Sequence, residues 1–364
     1  MPVIAPHSLS AAALDWAALL AWYDRARREL PWRARPGETA DPYRVWLSEI
    51  MLQQTTVAAV IPYFHRFLQR FPTLDALAGA ALDEVLALWA GLGYYARARH
   101  LHSAARLLAA RGDWPRTAAE WHDLPGIGRY SAAAIAAIGF GEPVLAVDGN
   151  VARILARLFV IETPLPAAMA EISAIASAIA MAPEFRARPG DATQALFDLG
   201  ASLCVKTAPL CTICPLGGAC AAMPRGLAAE LPRRAAKPAR PSRFGAQFWL
   251  TDAEDRVLLR RRPGHGLLGG MAELPGTPWR DSVPWAEAEA LAQAPVATTW
   301  RRLGTVRHVF THFALALDVY AGAVAAFAAA DLGGYARHTR LLAAEPLPSV
   351  MRKCVRLALA PPGV

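Results

Sequence analysis

Glu49 and Asp148 are the acidic residues whose neighbours in the sequence suit catalysis. Val45 and Trp46 precede Glu49, and Leu52 and Gln53 follow it, at the three- and four-residue spacing that shares one helix face. A carboxyl group on so apolar a face tends to keep its proton, and a Glu protonated near neutral pH is a general acid. The alternative is an edge Glu that bends into solvent. Asp148 lies between Val147 and Gly149 at the end of an apolar stretch. It reads as the N-cap of a helix over 149–160, as a catalytic group facing a cleft, or as both, because capping keeps an Asp ionised.

Two further stretches carry chemistry. In Leu124-Pro125-Gly126-Ile127-Gly128-Arg129-Tyr130-Ser131 the two glycines permit a tight turn, and the Ala-rich run beyond reads as a helix. Such a turn aims unpaired N–H groups and the positive end of the helix dipole at one place, which suits a nucleic-acid phosphate. A helical corner without a ligand is the alternative. Cys204, Cys211, Cys214 and Cys220 follow a C-x6-C-x2-C-x5-C pattern. Their clustering argues for metal, not disulfides. All four in one loop suit a cubane iron–sulfur cluster better than a zinc ribbon, which has two separated knuckles.

Elements must position these groups, and the chain has room for two domains. Its 364 residues are 54% hydrophobic and 19% charged, which excludes a disordered chain and permits a large core. A net charge of +8, mostly from Arg, points to an anionic partner. Residues 1–16 show no basic start or cleavage pattern, and apolar runs are too short for a membrane span, so the expectation is a soluble cytoplasmic protein with no membrane partner. Helices are expected over 14–30, from Asp41-Pro42 through Thr55, and over 56–70, 82–90, 100–111, 149–160, 167–181 and 191–203. The segment 91–100 sets Tyr94 and Tyr95 beside glycines and Arg97, Arg99 and His100. It reads as aromatics that wedge into a base stack, or as a helical corner with a basic face.

Residues 1–230 therefore read as an all-α domain, and 231–243, basic and Pro-rich, as an extended linker. Residues 244–364 read as an α/β domain with one mixed sheet. Strands are expected at 248–250, 257–259, 303–309 and 312–320, and helices at 284–293 and 349–359. Cys354 shares an apolar face with Val350 and Leu357 and reads as core.

Four motifs occur in one order: Leu47–Thr55 with Glu49, the hairpin 124–130, Val147–Asn150 and the cysteine loop. In these, residues 1–225 resemble the helix-hairpin-helix, iron–sulfur DNA glycosylases, in particular the MutY-type adenine DNA glycosylases. Residues 244–364 resemble, more weakly, the MutT-like (Nudix-like) domain that ends those proteins. The resemblance implies one [4Fe-4S] cluster on the four cysteines, in a positive loop that includes Lys206. It implies a monomer acting on double-stranded DNA that contains A:8-oxoG or A:G mispairs. The target adenine is flipped out, Glu49 protonates its N7, and Asp148 stabilises the oxocarbenium-like sugar, the division of labour of glycoside hydrolysis. By the same match Tyr130 and Asn150 support the carboxylates, and Trp32, Arg33, Val57 and Gln194 line the adenine pocket. Leu52, Gln54 and Tyr94 fill the stack near the opposing base, and Gly126 and Gly128 hold phosphate. Tyr130 stands where the related endonuclease III group has an imine-forming Lys, so strand cleavage is not expected. The loop that reads 8-oxoguanine is usually Phe-Ser-His; here it is Phe310-Thr311-His312, which keeps the hydroxyl and adds a methyl. The Nudix catalytic signature is absent from 264–295, which argues against pyrophosphohydrolase activity.

Overall fold

The computed structural model describes residues 14–235, 240–264 and 266–360. The chain forms two compact units, 1–236 and 237–364. Unit 1 is helical: α1 (Trp16–Ala26), α2 (Pro42–Leu52), α3 (Val57–Arg70), α4 (Leu74–Ala78), α5 (Leu82–Trp89), α6 (Ala96–Arg111), α7 (Ala118–His122), α8 (Arg129–Phe140), α9 (Gly149–Leu158), α10 (Met169–Ile179), α11 (Pro183–Ala187) and α12 (Pro189–Ser202). Side-chain caps explain half of the starts. Asp15, Asp41, Thr56 and Asp148 each accept backbone N–H bonds in the first turn that follows.

The helices build two cores with α8 between them. One gathers Trp16 and Leu19 of α1 with Val151 and Leu155 of α9, Phe185 and Leu196. The other gathers Trp46 of α2, Phe64 and Phe67 of α3, Trp89 of α5 and Leu101 of α6. From Ser131 to Ala137, α8 is buried on every side. Its run of Ala lets both α2 and α12 pack closely against it, and Glu49 of α2 and Gln194 of α12 come to line one cavity.

Unit 2 holds a mixed sheet flanked by α13 (Glu287–Leu291) and α14 (Ser349–Leu359). Its strands are β1 (Ser242–Thr251), β2 (Arg256–Arg261), β3 (Ala272–Glu273), β4 (Arg280–Asp281), β5 (Arg301–Val309), β6 (Ala314–Ala323) and β7 (Tyr335–His338). The path runs β3-β2-β1-β6-β5, with β1 and β6 parallel and β5 antiparallel to β6. Leu315, Leu317 and Val319 turn the alternating face of β6 into the core, beside the buried Cys354.

Several bounds differ from expectation. The first helix stops at Ala26, where Arg27 leaves the helical region with ψ 142° and its N–H closes the last turn on Tyr23 O. The helix expected from 100 begins at Ala96, since the Gly turn is shorter than its composition implies. The helix expected over 284–293 shrinks to Glu287–Leu291. The stretch read as linker is ordered at both ends: Leu165 and residues 233–235 exchange backbone bonds, and Ser242–Arg243 open β1. Residues 236–239 of that stretch lie outside the described residues, as do residues 1–13 of the N-terminal stretch and His265 of the 264–295 segment. Among the described residues no helix is long and apolar enough to cross a membrane.

Candidate active site

Glu49 is 5% exposed, so it is not an edge residue bending into solvent. Tyr130, in the first turn of α8, donates a hydrogen bond to its carboxyl. Glu49 Oε2 is buried with no hydrogen-bond partner. Burial pushes the carboxyl up, Tyr130 pulls it down, the Asp148 charge raises it and Arg33 lowers it; the result is a value of about 7. Near neutral pH the group is therefore poised between its acid and its base form. Burial and the Glu49 charge raise the Tyr130 hydroxyl well above its ordinary range, so it remains a donor.

Asp148 is both cap and cleft group. Its Oδ1 accepts from the backbone N–H of Asn150 at 2.8 Å and of Val151 at 2.7 Å, and its Oδ2 accepts from Asn150 Nδ2 at 2.8 Å. Asn150 is held in turn. Its Oδ1 accepts from Arg153 Nη2 at 2.9 Å, and Arg153 also donates to the Gly200 and Cys204 carbonyls at 2.7 and 2.8 Å. A Cβ on Gly200 would lie 2.6 Å from Asn150 Cβ, so glycine is what lets α12 come this close.

Glu49, Tyr130, Asp148 and Asn150 line one cavity of about 210 Å3. Trp32, Arg33, Leu52, Val57 and Gln194 line it too. Arg28, which also lines it, and Asp198, which holds Arg28 and Arg33, escaped the sequence reading. Asp198, 1% exposed, accepts two bonds from Arg33 at 2.7 and 2.9 Å and is paired with Arg28. Burial works against the Asp198 charge, yet the two guanidinium groups hold its carboxyl below the usual carboxylate range. No local pattern links residues so far apart along the chain.

Other singled-out residues lie elsewhere. Gln54 is exposed and Tyr94 is 55% exposed; both sit outside the cavity. Gln53 ties the end of α2 to the hairpin, donating to Gly126 O and Ser131 Oγ at 3.1 Å each. Gly126 has φ +76°, and a Cβ there would meet His100 at 2.6 Å. Gly128 caps α8 with no side-chain bond to its first turn, which leaves donors for an anion. In unit 2, Phe310 packs edge-on and tilted among His308, Phe313 and Trp279, and Thr311 and His312 are exposed in the turn that follows.

The four cysteines are half-buried free thiols around one cavity of about 20 Å3. Among the described residues no three His, Cys, Asp or Glu side chains are grouped to hold one metal ion. Thiols ringing an opening fit a cluster of several irons. Arg157, 2% exposed, donates to Cys204 Sγ at 3.2 Å, which sets a buried cation beside the thiolates such a cluster needs.

Residues 47–176 match the HhH-GPD superfamily of base excision DNA repair proteins, and residues 246–357 match the NUDIX domain. The adenine DNA glycosylase of Homo sapiens is 37% identical over 370 residues, covering 83% of this chain and 66% of that protein. That of Rattus norvegicus is 36% identical over 380 residues, covering 87% of this chain and 72% of that protein. The chain thus spans about two thirds of the human relative's length. Among solved structures, a thermostable thymine-DNA glycosylase shares 26% identity with a TM-score of 0.50, over 58% of this chain and 95% of that one. A relative matched this fully, with the paired carboxylates in one cavity, places the chain in the adenine DNA glycosylase family of N-glycosyl hydrolases.

Proposed function

We propose that the chain excises adenine opposite 8-oxoguanine or guanine in duplex DNA, in base excision repair, and leaves the strand uncut. The observation that carries this reading is the unpartnered Oε2 of Glu49, buried in the cavity wall that also holds Asp148. A flipped adenine brings the acceptor that this oxygen lacks. Glu49 gives its proton to N7, the glycosidic electron pair leaves with the base, and adenine departs neutral. Asp148, fixed by three donors, faces the positive charge that develops on the sugar. Water then adds to the anomeric carbon and passes its proton to the Glu49 carboxylate, which restores the acid. Tyr130 steadies Glu49, and Asn150 steadies Asp148. Trp32, Arg33, Val57 and Gln194 wall the base, Leu52, Gln54 and Tyr94 fill the stack near the opposing base, and Gly126 and Gly128 take a phosphate. Phe310, Thr311 and His312 read the opposing 8-oxoguanine.

The four cysteines hold one [4Fe-4S] cluster, which braces its basic loop against the DNA backbone. Cys211→Ser is expected to lose the brown absorbance of the purified protein and to weaken duplex binding. Colourless parent protein with stoichiometric zinc would overturn the cluster assignment.

A single-turnover assay on adenine opposite 8-oxoguanine, with and without alkaline work-up, tests the function. Strand breaks only after alkali are expected, because Tyr130 cannot form the imine of a lyase. Breaks without alkali would show a lyase, and no base release from any mispair would leave a DNA-binding module.

A further inference from the structure

Arg97, in the first turn of α6, is 8% exposed and has no place in the chemistry above. Its guanidinium reaches two separate segments. Nη1 donates to the carbonyls of Ile50 and Met51 at 3.2 and 2.7 Å, and Nη2 donates to Thr55 Oγ1 at 3.0 Å. Nη2 also donates to the carbonyls of Leu92 and Gly93 at 3.3 and 3.2 Å. The same group lies over the rings of Trp89 and Tyr94, at 5.3 and 5.4 Å from their centroids. Burial draws the guanidinium down to about 10, so it stays charged at neutral pH.

The two segments carry the side chains placed near the opposing base. α2 ends without a glycine cap, and the carbonyls that its last turn leaves unpaired are the ones Arg97 takes. Just past that end Gln54 has φ +56°, and across the clamp Tyr94 has φ +50°. Non-glycine residues in this region cost energy and persist only where neighbours hold them. Tyr94 nonetheless stays 55% exposed, as a prong offered to a partner. Trp89 Nε1 donates to Gly93 O at 2.9 Å, and a Cβ on Gly91 would strike Tyr63 Oη, so the turn 91–94 is fastened from three directions.

We propose that Arg97 is a positioning residue that holds Gln54 and Tyr94 as a preformed two-pronged wedge, and that it acts on extrusion of the target base ahead of the chemistry. The inference rests on the glycosylase reading. Unstacking a base costs free energy, and a wedge ordered before binding loses none of its contact energy to its own ordering.

The test places 2-aminopurine, whose fluorescence rises on unstacking, at the target position of a duplex. Glu49→Gln protein serves as the parent so that the base is not cut. Adding Arg97→Lys is expected to remove most of the fluorescence rise while affinity for undamaged duplex and the melting temperature stay near the parent's. In the Glu49-containing protein the same change should slow excision on the order of ten- to a hundredfold, the scale expected of misplaced groups. With Gln54→Ala and Tyr94→Ala already present, Arg97→Lys should add little, because it acts through those two prongs. A full rise in Arg97→Lys, or a further loss on top of the Gln54→Ala, Tyr94→Ala pair, would overturn the clamp. Should Arg97→Lys melt below the parent, the fluorescence is read at a temperature where circular dichroism shows both proteins folded, and a rise equal to the parent's there sinks the proposal. No rise with the parent itself, opposite any base, would instead sink the glycosylase reading.

Discussion

Glu49→Gln is expected to leave mispair binding intact and to lower single-turnover excision by about 10²–10⁴-fold, the usual worth of a positioned general acid. The amide keeps the shape of the side chain and can still accept from Tyr130, but it has no proton to give to N7. The parent's rate should be level below about pH 7 and fall with rising pH beyond it, because the acid form of Glu49 is then lost. The variant's residual rate should lack that limb. Stability offers an independent check with a definite sign. The folded protein raises the Glu49 carboxyl from 4.5 to about 7, so it favours the protonated form, and the stability this contributes is lost as pH rises from 4.5 through 7. Gln carries no such penalty. The variant should therefore melt above the parent at pH 8, and the gap should narrow towards pH 5. Unchanged excision would remove Glu49 as the acid, and a gap that widens at low pH would contradict its raised value.

The two carboxylates were legible because each is marked by near neighbours. Apolar residues at helical spacing flag Glu49, and an apolar stretch ending in Asp-Gly flags Asp148. What fixes their geometry was not legible, because it is tertiary. Asp198 meets Arg33 across 165 positions, Arg97 reaches Met51 across 46, and Gly200 admits Asn150 across a helix contact. Nothing in a window of neighbouring residues encodes such pairs. In unit 2 the alternation of 313–319 exposed the core face of β6, and α14 has the expected bounds of 349–359. The parallel pairing of β6 with β1 was hidden, since alternation gives a strand its faces and not its partner. The five-residue helices α4, α7 and α11 are too short for a periodicity to show.

Asp148→Asn separates two roles that the one carboxyl performs. The amide is still a good helix cap, so α9 should remain formed and melting should change little. Its charge is gone, and its NH2 must face either Asn150 Nδ2 or the backbone N–H groups of Asn150 and Val151, donor against donor. Excision is expected to fall on the order of 10²–10³-fold, the loss typical of one electrostatic stabiliser in a preorganised site. A second effect follows from the neighbouring acid. The Asp148 charge is one of the causes that raise Glu49. Without it the Glu49 carboxyl ionises more readily, and the high-pH limb of the remaining activity should move to lower pH. Measuring the pH profile beside the rate tells the roles apart. A slower enzyme whose limb has not moved would mean that Asp148 serves the sugar cation without tuning Glu49. A moved limb with the rate at its plateau unchanged would mean the reverse, and the positive sugar would need another stabiliser.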